Sequence, residues 1–364
     1  MAKLVTFGEI MMRLQTKPGR RFRQSLPGDM EVIFGGAEAN VAASFALLGA
    51  SASFVTALPE TSIADACLGS LRALGVDVSG VVRSKKGRLG IYFAEAGANQ
   101  RPSNVIYDRD YSSVSMENPA SYKWGRLFRG ADWFHTTGIT PALSKIAARA
   151  ALSAAKKAKK AGLTVSCDLN FRKKLWRWKT GMPPNALACR IMGELLNYVD
   201  VLIANEEDVG DVLGIKDDSL DTAGGTLDVS KYPGIAAQVA RKFPNIKKIA
   251  FTLRESVSAT HNNWGCMLYD TASAAVHFAP QSNGTYSPYR ITDIVDRIGG
   301  GDSFGAALIY ALLDGELKQS DEKAASFAAA ASCLCHSIYG DFNYSTKDEV
   351  LSLMGGSTSG RIVR

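Results

Sequence analysis

The sequence has 364 residues, of which 46% are hydrophobic, 9% aromatic and 21% charged. These proportions are ordinary for globular proteins and exclude a wholly disordered, collagen-like or coiled-coil chain. The 42 Lys and Arg residues exceed the 35 Asp and Glu residues, and the resulting net charge of +7 favours anionic partners such as nucleotides, sugar acids or nucleic acid.

The chain contains no run of about 18 apolar residues, so neither a transmembrane helix nor a membrane partner is expected. Residues 1–10 lack an apolar h-region and a small-residue cleavage site, which predicts a first strand rather than a signal peptide. The cysteines are dispersed, without a C-x-x-C pair, which predicts free buried thiols and no zinc site. They are Cys67, Cys167, Cys189, Cys266, Cys333 and Cys335. We therefore expect a cytoplasmic protein.

Short β-rich runs alternate with longer helical patterns along most of the chain. The predicted strands are 3–7, 51–58, 131–138, 162–170, 199–205 and 247–253. The predicted helices are 38–49, 62–74, 142–161, 206–214, 303–314 and 320–338. Strands that alternate with crossover helices predict an α/β fold, doubly wound, with a mostly parallel sheet flanked by helices.

Two segments, 11–34 and 81–111, interrupt this alternation with short strand-like runs and no intervening helices. They predict antiparallel strands that form a small β-sheet lid. The remaining predicted divisions are a core of 1–10, 35–80 and 112–354, a polar surface loop at 215–231, and a flexible tail at 355–364.

The strongest chemical signal is the Gly-rich segment before the helix predicted at 303–314. Gly299, Gly300 and Gly301 follow a strand-like run, and Asp302 opens an apolar helix. Free N–H groups at a helix start bind anions, and a carboxylate beside them suits a proton acceptor in phosphoryl transfer. The alternative is that Asp302 is an ordinary N-cap on a Gly-rich turn.

A second signal lies at 34–44, where Gly35 and Gly36 precede a helix and Asn40 lies one turn inside it. A glycine pair lets a ligand approach the backbone, and an amide such as Asn40 can hydrogen-bond to sugar hydroxyls. The alternative, which this segment alone favours, is a helix start with tight Gly and Ala packing.

Together the two segments resemble the signatures of the ribokinase-like (phosphofructokinase-B) carbohydrate kinase family. The first signature, G-G-x-x-x-N-x-A, is matched by Gly35, Gly36, Asn40 and Ala42. The second, D-T-x-G-A-G-D, is matched over 296–302. Within the family, the chain is most similar to 2-keto-3-deoxygluconate kinases, through segments 8–14, 107–110, 168–172, 252–256, 295–304 and 340–343.

The resemblance implies phosphoryl transfer from ATP to the terminal hydroxyl of a small sugar acid. It implies that Asp302 is the general base, with Gly299, Gly300, Gly301 and Arg172 in the catalytic group. The implied sugar site consists of Gly35, Gly36, Asn40, Tyr92, Tyr107, Arg109, Arg172 and Asp302. The implied nucleotide site consists of Asn205, Thr252, Arg254, Gly299, Gly301 and Asn343.

The resemblance also implies Mg²⁺ as a cofactor, organised through water by an N-x-x-E motif, and it allows a monovalent cation. Here the motif ends in Asp208, which is one methylene shorter than Glu. Asn205 in the same motif is alternatively an ordinary N-cap. Many relatives pair through their lids, so a homodimer is expected.

The arginines favour an acidic substrate, because a planar guanidinium binds a carboxylate bidentately. Arg109 lies in the aromatic lid segment, where the alternative is exposure to solvent. Arg172 follows a predicted strand end, where open α/β sheets bind ligands. The second signature departs from the family at Arg297, in place of Thr, and at Gly300, in place of Ala. Neither change removes the base.

Three other functions stay open. The first is a kinase of a neutral sugar such as fructose or ribose, and the second is a sugar-responsive regulatory protein on a retained kinase fold. An intact Asp302 argues against the second. The third is single-stranded nucleic-acid binding by 170–179, which contains Trp176 and Trp178 among basic residues. Local packing of these tryptophans is the favoured interpretation, so no nucleic-acid partner is expected.

Overall fold

Strands and the helices between them form the central layers of the molecule. The computed structural model describes residues 2–215 and 227–357. The strands are β1 (Lys3–Phe7), β2 (Met11–Gln15), β3 (Glu31–Gly35), β4 (Ser51–Val55), β5 (Ala57–Pro59), β6 (Val82–Ser84), β7 (Gly90–Glu95), β8 (Asn104–Asp108), β9 (Trp133–Thr137), β10 (Thr164–Asp168), β11 (Val201–Ala204), β12 (Lys248–Ser258), β13 (His261–Asp270), β14 (Val276–Ala279), β15 (Gln281–Ser282), β16 (Thr285–Tyr286) and β17 (Tyr289–Ile291). The helices are α1 (Phe22–Ser25), α2 (Ala37–Leu47), α3 (Ser62–Ala73), α4 (Ser113–Met116), α5 (Trp124–Leu127), α6 (Ile139–Leu143), α7 (Lys145–Lys160), α8 (Pro184–Leu196), α9 (Glu206–Leu213), α10 (Tyr232–Lys242), α11 (Gly300–Leu313), α12 (Asp321–Cys335) and α13 (Lys347–Met354).

The central sheet contains nine described strands in the order β14–β13–β12–β11–β10–β9–β1–β4, with β17 also paired to β13. The strands from β12 to β4 pair in parallel, and β13, β14 and β17 pair antiparallel. One buried core contains α7 and α8 side chains, and a second contains side chains of α2, α11 and α12. The mostly parallel sheet flanked by helices confirms the predicted fold class.

A second, four-stranded sheet has the order β3–β2–β7–β8 and is called the lid sheet below. Its outer pairs, β3–β2 and β7–β8, are antiparallel, as expected. The central pair β2–β7 is parallel, because the first strands of the two lid segments lie side by side and run in the same direction. One row across the sheet is Ile33, Arg13, Tyr92 and Tyr107. Strand β6, within the predicted lid range 81–111, pairs with β5 instead.

Several predicted boundaries move because a local capping group interrupts the pattern or a pairing extends it. The strand predicted at 51–58 is divided into β4 and β5. The helix predicted at 142–161 is divided into α6 and α7, because the Ser144 hydroxyl accepts from the Ala147 amide and starts a new helix. The strand predicted at 247–253 continues to Ser258, because it pairs along its whole length with the long antiparallel strand β13.

The loop predicted at 215–231 lies mainly outside the described residues, as does the predicted tail from residue 358 onward. Val229–Lys231, at the end of that loop, forms a short 3₁₀ turn. Across 2–215 and 227–357, no helix is long and apolar enough to cross a membrane. The six cysteines are free thiols, but Cys189 is exposed and Cys333 is half-buried, which corrects the expectation that all are buried.

Helix α7 illustrates how composition determines packing. Its alanines at 147, 148, 150, 151, 154, 155 and 158 are all buried, whereas Lys156, Lys157 and Lys160 face solvent. Because alanine is the best helix former and has the smallest side chain beyond glycine, this face brings the helix backbone close to the sheet. The segment therefore forms an amphipathic helix with a thin apolar face.

Replacing Ala154 by Leu inserts methylenes where the closely packed face has no room, and we expect a loss of about 1–3 kcal/mol of unfolding free energy. Lys157→Leu adds the same side chain on the exposed face of the same helix and serves as the matched control, with an expected change below about 0.5 kcal/mol. Urea denaturation measures both. Equal effects of the two substitutions would contradict the close packing of α7.

Candidate active site

The two glycine-containing signatures meet at the carboxyl edge of the central sheet. The Asn40 amide, in the first turns of α2, donates to Oδ2 of Asp302 at 2.7 Å. Oδ1 of Asn40 accepts from the Gly36 amide at 3.1 Å, so the side-chain amide is held at both ends. Asp302 is the third residue of α11, and Gly299 is the N-cap. The alternative in which Asp302 caps this helix is therefore wrong.

The Asp302 carboxylate occupies a largely desolvated position. Burial raises its pKa to about 7, against the opposing hydrogen bond from Asn40. The nearby charges of Asp341 and Glu38 raise this pKa further, and Arg172 lowers it. A carboxylate with a pKa near neutrality combines partial ionisation with useful basicity, which is the requirement for a general base.

The three glycines before Asp302 differ in the structural feature that explains why each position is a glycine. Gly299 has φ +87°, and a Cβ there would overlap the Asp341 carbonyl oxygen. A Cβ on Gly300 would lie 2.9 Å from the His336 ring. Gly301 is exposed, with open space where a Cβ would be. Free amides at this helix start therefore face an accessible region beside the base, as anion binding requires.

A second carboxylate lies beside the base and has no assigned role in the sequence analysis. Asp168 ends strand β10, and burial together with the charges of Asp208 and Asp302 raises its pKa well above the ordinary value. The signal that could have identified it is its position at the carboxyl end of a parallel strand, next to Arg172. Arg172 itself is exposed and makes no ion pair among the described residues.

Asp208, the residue predicted to organise Mg²⁺, lies in the same group of charges. Its Oδ1 accepts from the Phe171 amide at 3.1 Å. Burial raises the pKa of Asp208 to about 7, opposed by the positive charge of Arg172. Asn205 is the N-cap of α9, with its Oδ1 accepting from the Asp208 amide at 2.7 Å, as the capping alternative predicts.

The predicted nucleotide residues Thr252 and Arg254 lie on β12, and Arg254 is exposed. Burial and the charge of Arg254 lower the pKa of Arg297, so two cations lie together beside the Gly-rich turn. The Arg297 Nη2 donates to Asn262 Oδ1 at 2.6 Å. This arrangement provides positive charge next to the free amides of α11, which suits a polyphosphate.

Asn343, also predicted to bind the nucleotide, has its amide engaged inside the fold. Nδ2 donates to Ser303 Oγ at 2.6 Å and to the Ala331 carbonyl at 3.0 Å. Oδ1 accepts from the Ser345 amide at 3.0 Å. The structure thus gives Asn343 a packing role between α11 and α12, and its contact with a nucleotide stays a prediction.

Gly35 and Gly36 are required by close packing. A Cβ on Gly35 would overlap the Asp341 carboxylate, and a Cβ on Gly36 would overlap the Glu9 carbonyl. This is the tight packing that the alternative interpretation of 34–44 describes. Both glycines nonetheless lie beside Asn40, so their backbone lines the region next to the base.

Arg109 is buried, which excludes the solvent-facing alternative. Its Nε donates to Glu9 Oε2 at 2.8 Å, Nη2 contacts the same oxygen, and the guanidinium lies 5.3 Å from the centroid of the Tyr107 ring. Glu9 is 3% exposed, and its Oε1 has no hydrogen-bond partner among the described residues. Glu9 has no role in the sequence analysis, although it lies in the quoted segment 8–14.

Tyr92 and Tyr107 differ in accessibility. Tyr92 is buried, and its hydroxyl donates to Asp341 at 2.6 Å. Tyr107 is 46% exposed, with its ring centroid 5.9 Å from that of Tyr92. Asp341 was missed as a site residue, although it lies in the quoted segment 340–343. Tyr92 and Tyr107 therefore lie side by side on lid strands β7 and β8, with Tyr107 as the accessible ring, and their contact with a sugar stays a prediction.

A carboxylate beside the free amides of a helix start, at the carboxyl edge of a doubly wound sheet, is the arrangement of a phosphoryl-transfer site. The chain belongs to the pfkB family of carbohydrate kinases, whose family model matches residues 1–346. This membership confirms the predicted family and the predicted enzyme class, a sugar phosphotransferase.

Three relatives illustrate the similarity. A 2-dehydro-3-deoxygalactonokinase of Haloferax volcanii is 32% identical over 360 residues, covering 99% of this chain and 98% of its own. The crystal structure of a 2-dehydro-3-deoxygluconokinase from Thermotoga maritima is 44% identical, with a TM-score of 0.87 and coverage of 98% and 100%. A Xylella fastidiosa fructokinase structure with bound ATP is 20% identical, with a TM-score of 0.74 and coverage of 98% and 99%, and shows the shared fold.

The raised pKa of Asp302 predicts the pH dependence of phosphorylation. The base acts when deprotonated, so kcat/KM should rise as pH increases through about 7. Asn40→Ala removes a hydrogen bond that favours the ionised carboxylate, and it should therefore move this rise to higher pH. Steady-state rates between pH 5.5 and 9 measure the shift, with thermal melting as a check on folding. If kcat/KM rises over the same pH range in Asn40→Ala as in the wild type, Asn40 does not act on the base.

Proposed function

We propose that the protein transfers the γ-phosphoryl group of ATP to the terminal hydroxyl of 2-keto-3-deoxygluconate (2-dehydro-3-deoxygluconate). The observation that carries the proposal is the position of Asp302, held by Asn40 at the open helix start of α11. The names of the Haloferax volcanii and Thermotoga maritima relatives support a 2-keto-3-deoxy sugar acid as the substrate class.

The proposed reaction is an in-line displacement in which the chain supplies position and charge. The substrate hydroxyl loses its proton to Asp302 as its oxygen bonds to the γ-phosphorus, and the bond to the ADP oxygen breaks. The Gly299–Gly301 amides receive the developing charge of the transferred group. Arg172, exposed beside the same carboxylates, is free to contact the phosphoryl group or the substrate carboxylate.

The preference for an acid over a neutral sugar rests on Arg109. Its Nε and Nη2 are held by Glu9, and Nη1 makes no hydrogen bond within the described residues. A guanidinium that is buried and fixed along one edge presents its other edge without further loss of side-chain entropy. Within the proposal, that edge binds the carboxylate of the substrate.

Mg²⁺ is part of the proposal as the partner of ATP. No group of three His, Cys, Asp or Glu side chains in residues 2–215 and 227–357 is arranged to hold a metal directly. Asp168 and Asp208 are oxygen donors whose pKa values are raised by burial even though Arg172 lies nearby, and they fit an ion held through water and phosphate oxygens. When bound, Mg²⁺ neutralises charge on the transferring phosphates.

A cytoplasmic location, supported by the free thiols, completes the proposal.

The experiment that tests this function is a coupled ADP-release assay with Mg-ATP and a panel of sugars. The panel contains 2-keto-3-deoxygluconate, 2-keto-3-deoxygalactonate, gluconate, fructose and ribose, and Asp302→Ala is the control for chemistry. Turnover on the keto-deoxy acids that is abolished in the variant supports the proposal. Turnover on fructose or ribose would establish the neutral-sugar kinase instead, and sugar binding without turnover would favour the regulatory protein.

Replacing Arg109 by Met should lower kcat/KM for the acid substrate by about 10–100-fold, because a charge-assisted hydrogen bond contributes about 1.5–3 kcal/mol. The change for any neutral sugar should be small. Arg109→Met leaves Glu9 negative and unpaired, so the matched control is the double variant Glu9→Gln/Arg109→Met. Equal losses on acids and neutral sugars in both variants would overturn the carboxylate-binding role.

A homodimer through the lid sheet is also part of the proposal. On the face opposite Arg13, the register places Val32, Leu14, Phe93 and Ile106 in one apolar row. Val32 is 56% exposed and Ile106 is 50% exposed. Exposed apolar rows on a sheet are covered in many proteins by a second copy.

If the lid face is the dimer interface, introducing charge into its apolar row should produce monomers. We expect light scattering after size exclusion to give twice the chain mass for the wild type and the chain mass for Val32→Lys/Ile106→Lys. The exposed apolar residue Ile63 lies on α3, outside the lid sheet, so Ile63→Lys is the matched control. A monomeric wild type would contradict the lid dimer.

A further inference from the structure

Arg13 is a buried cation on the lid strand β2, 1% exposed, for which no role was predicted from the sequence. All three nitrogens of its guanidinium make hydrogen bonds. Nη1 contacts Asp341 Oδ1 at 2.9 Å, Nη2 contacts Asp296 Oδ2 at 2.6 Å, and Nε donates to Gln15 Oε1 at 2.8 Å. One residue of the lid sheet is thus hydrogen-bonded to two carboxylates that belong to the core.

Asp296 connects Arg13 to the turn that precedes the base. Its Oδ1 accepts from the amides of Arg297 and Ile298, at 2.8 and 3.1 Å. Its Oδ2 accepts from the Gly340 amide at 3.2 Å as well as from Arg13. The carboxylate therefore fixes the backbone immediately before Gly299, and Arg13 fixes the carboxylate.

Asp341 makes the second connection. Its carboxylate binds Arg13 and the Tyr92 hydroxyl, both on the inner face of the lid sheet. Its carbonyl lies so close to Gly299 that no Cβ would fit there. The backbone of the Gly-rich turn is thus enclosed between a carboxylate and a carbonyl whose positions both depend on the lid strands β2 and β7.

The charges make these contacts interdependent. Asp296 and Asp341 are both buried, and Arg13 is the cation that ion-pairs with them in the described part of the chain. A buried carboxylate that loses its partner is strongly destabilised. Placing the lid sheet and forming the turn before Gly299 are for this reason energetically linked.

We propose that Arg13 is a positioning residue that couples the seating of the lid sheet to the geometry of the Gly299–Asp302 turn. The coupling orders the transfer site only when the lid strands are in place over the sugar region. It rests on the proposed kinase function, but it does not depend on which sugar is phosphorylated.

The test is Arg13→Lys, which keeps the charge but replaces a three-edged fork with a single ammonium group that cannot reach all three partners. We expect kcat to fall by about tenfold or more, because displaced amides and base act mainly in the transition state. The KM values for ATP and sugar should change by less than about threefold. The matched control is Arg101→Lys, since Arg101 binds Glu95 within the lid segments alone, and it should leave kcat unchanged.

Hydrogen exchange gives a second readout that needs no substrate. In Arg13→Lys the segment 296–301 should exchange faster than in the wild type, because the amides of Arg297 and Ile298 lose a fixed acceptor, and Arg101→Lys should leave it unchanged. Unchanged exchange at 296–301, or a loss confined to KM, would overturn the coupling. If the wild type phosphorylates only a neutral sugar, the rates are measured on that sugar. If the wild type phosphorylates no sugar, the proposed function fails, and the exchange data alone decide whether Arg13 couples the lid sheet to the turn.

Discussion

One buried carboxylate, that of Glu38, fixes the first helix of the site against the central sheet. Its Oε1 accepts from the Thr137 amide and from the hydroxyls of Thr137 and Thr140, at 2.8–2.9 Å. Its backbone carbonyl accepts from the Thr6 hydroxyl, and its carboxylate lies where a Cβ on Gly8 would be. Because these groups belong to β1, β9 and α6, the helix that carries Asn40 has one position on the sheet edge, and the geometry of the base depends on it.

The sequence was sufficient for the fold class, which follows from strand–helix alternation. Asn40 and Asp302, which are in hydrogen-bond contact, were assigned to one site only through the resemblance to the kinase family. The sequence was insufficient for Glu9 and Arg13, whose partners lie about 100 and 300 positions away along the chain. A single sequence carries no local signal for such pairs. The strands β13 and β14 were missed for a related reason, because they pair antiparallel without the helices that marked the rest of the sheet.

The site concentrates negative charge in a chain whose net charge is +7. Burial raises the pKa values of Asp168, Asp208 and Asp302, and each lies near another carboxylate. Such an arrangement costs folding free energy, and Arg172 compensates for only part of that cost. Binding of cations or of a phosphate-bound metal at the site therefore stabilises the folded protein. The surplus of basic residues elsewhere brings anionic substrates towards a local region that would otherwise repel them.

The lid sheet is assembled from two segments separated by residues 36–89, and its central pair is parallel, with Met11 opposite Gly90. A parallel pair cannot form from a simple hairpin, so the intervening strands and helices must be placed before β2 and β7 can meet. The lid is consequently a late product of folding rather than an independent hairpin, and its loop-closure entropy is offset only once the core exists. A nascent chain that has emerged only to β3 therefore exposes the edge of β2, whose partner strand β7 is not yet made, and such an unpaired edge is open to wrong association.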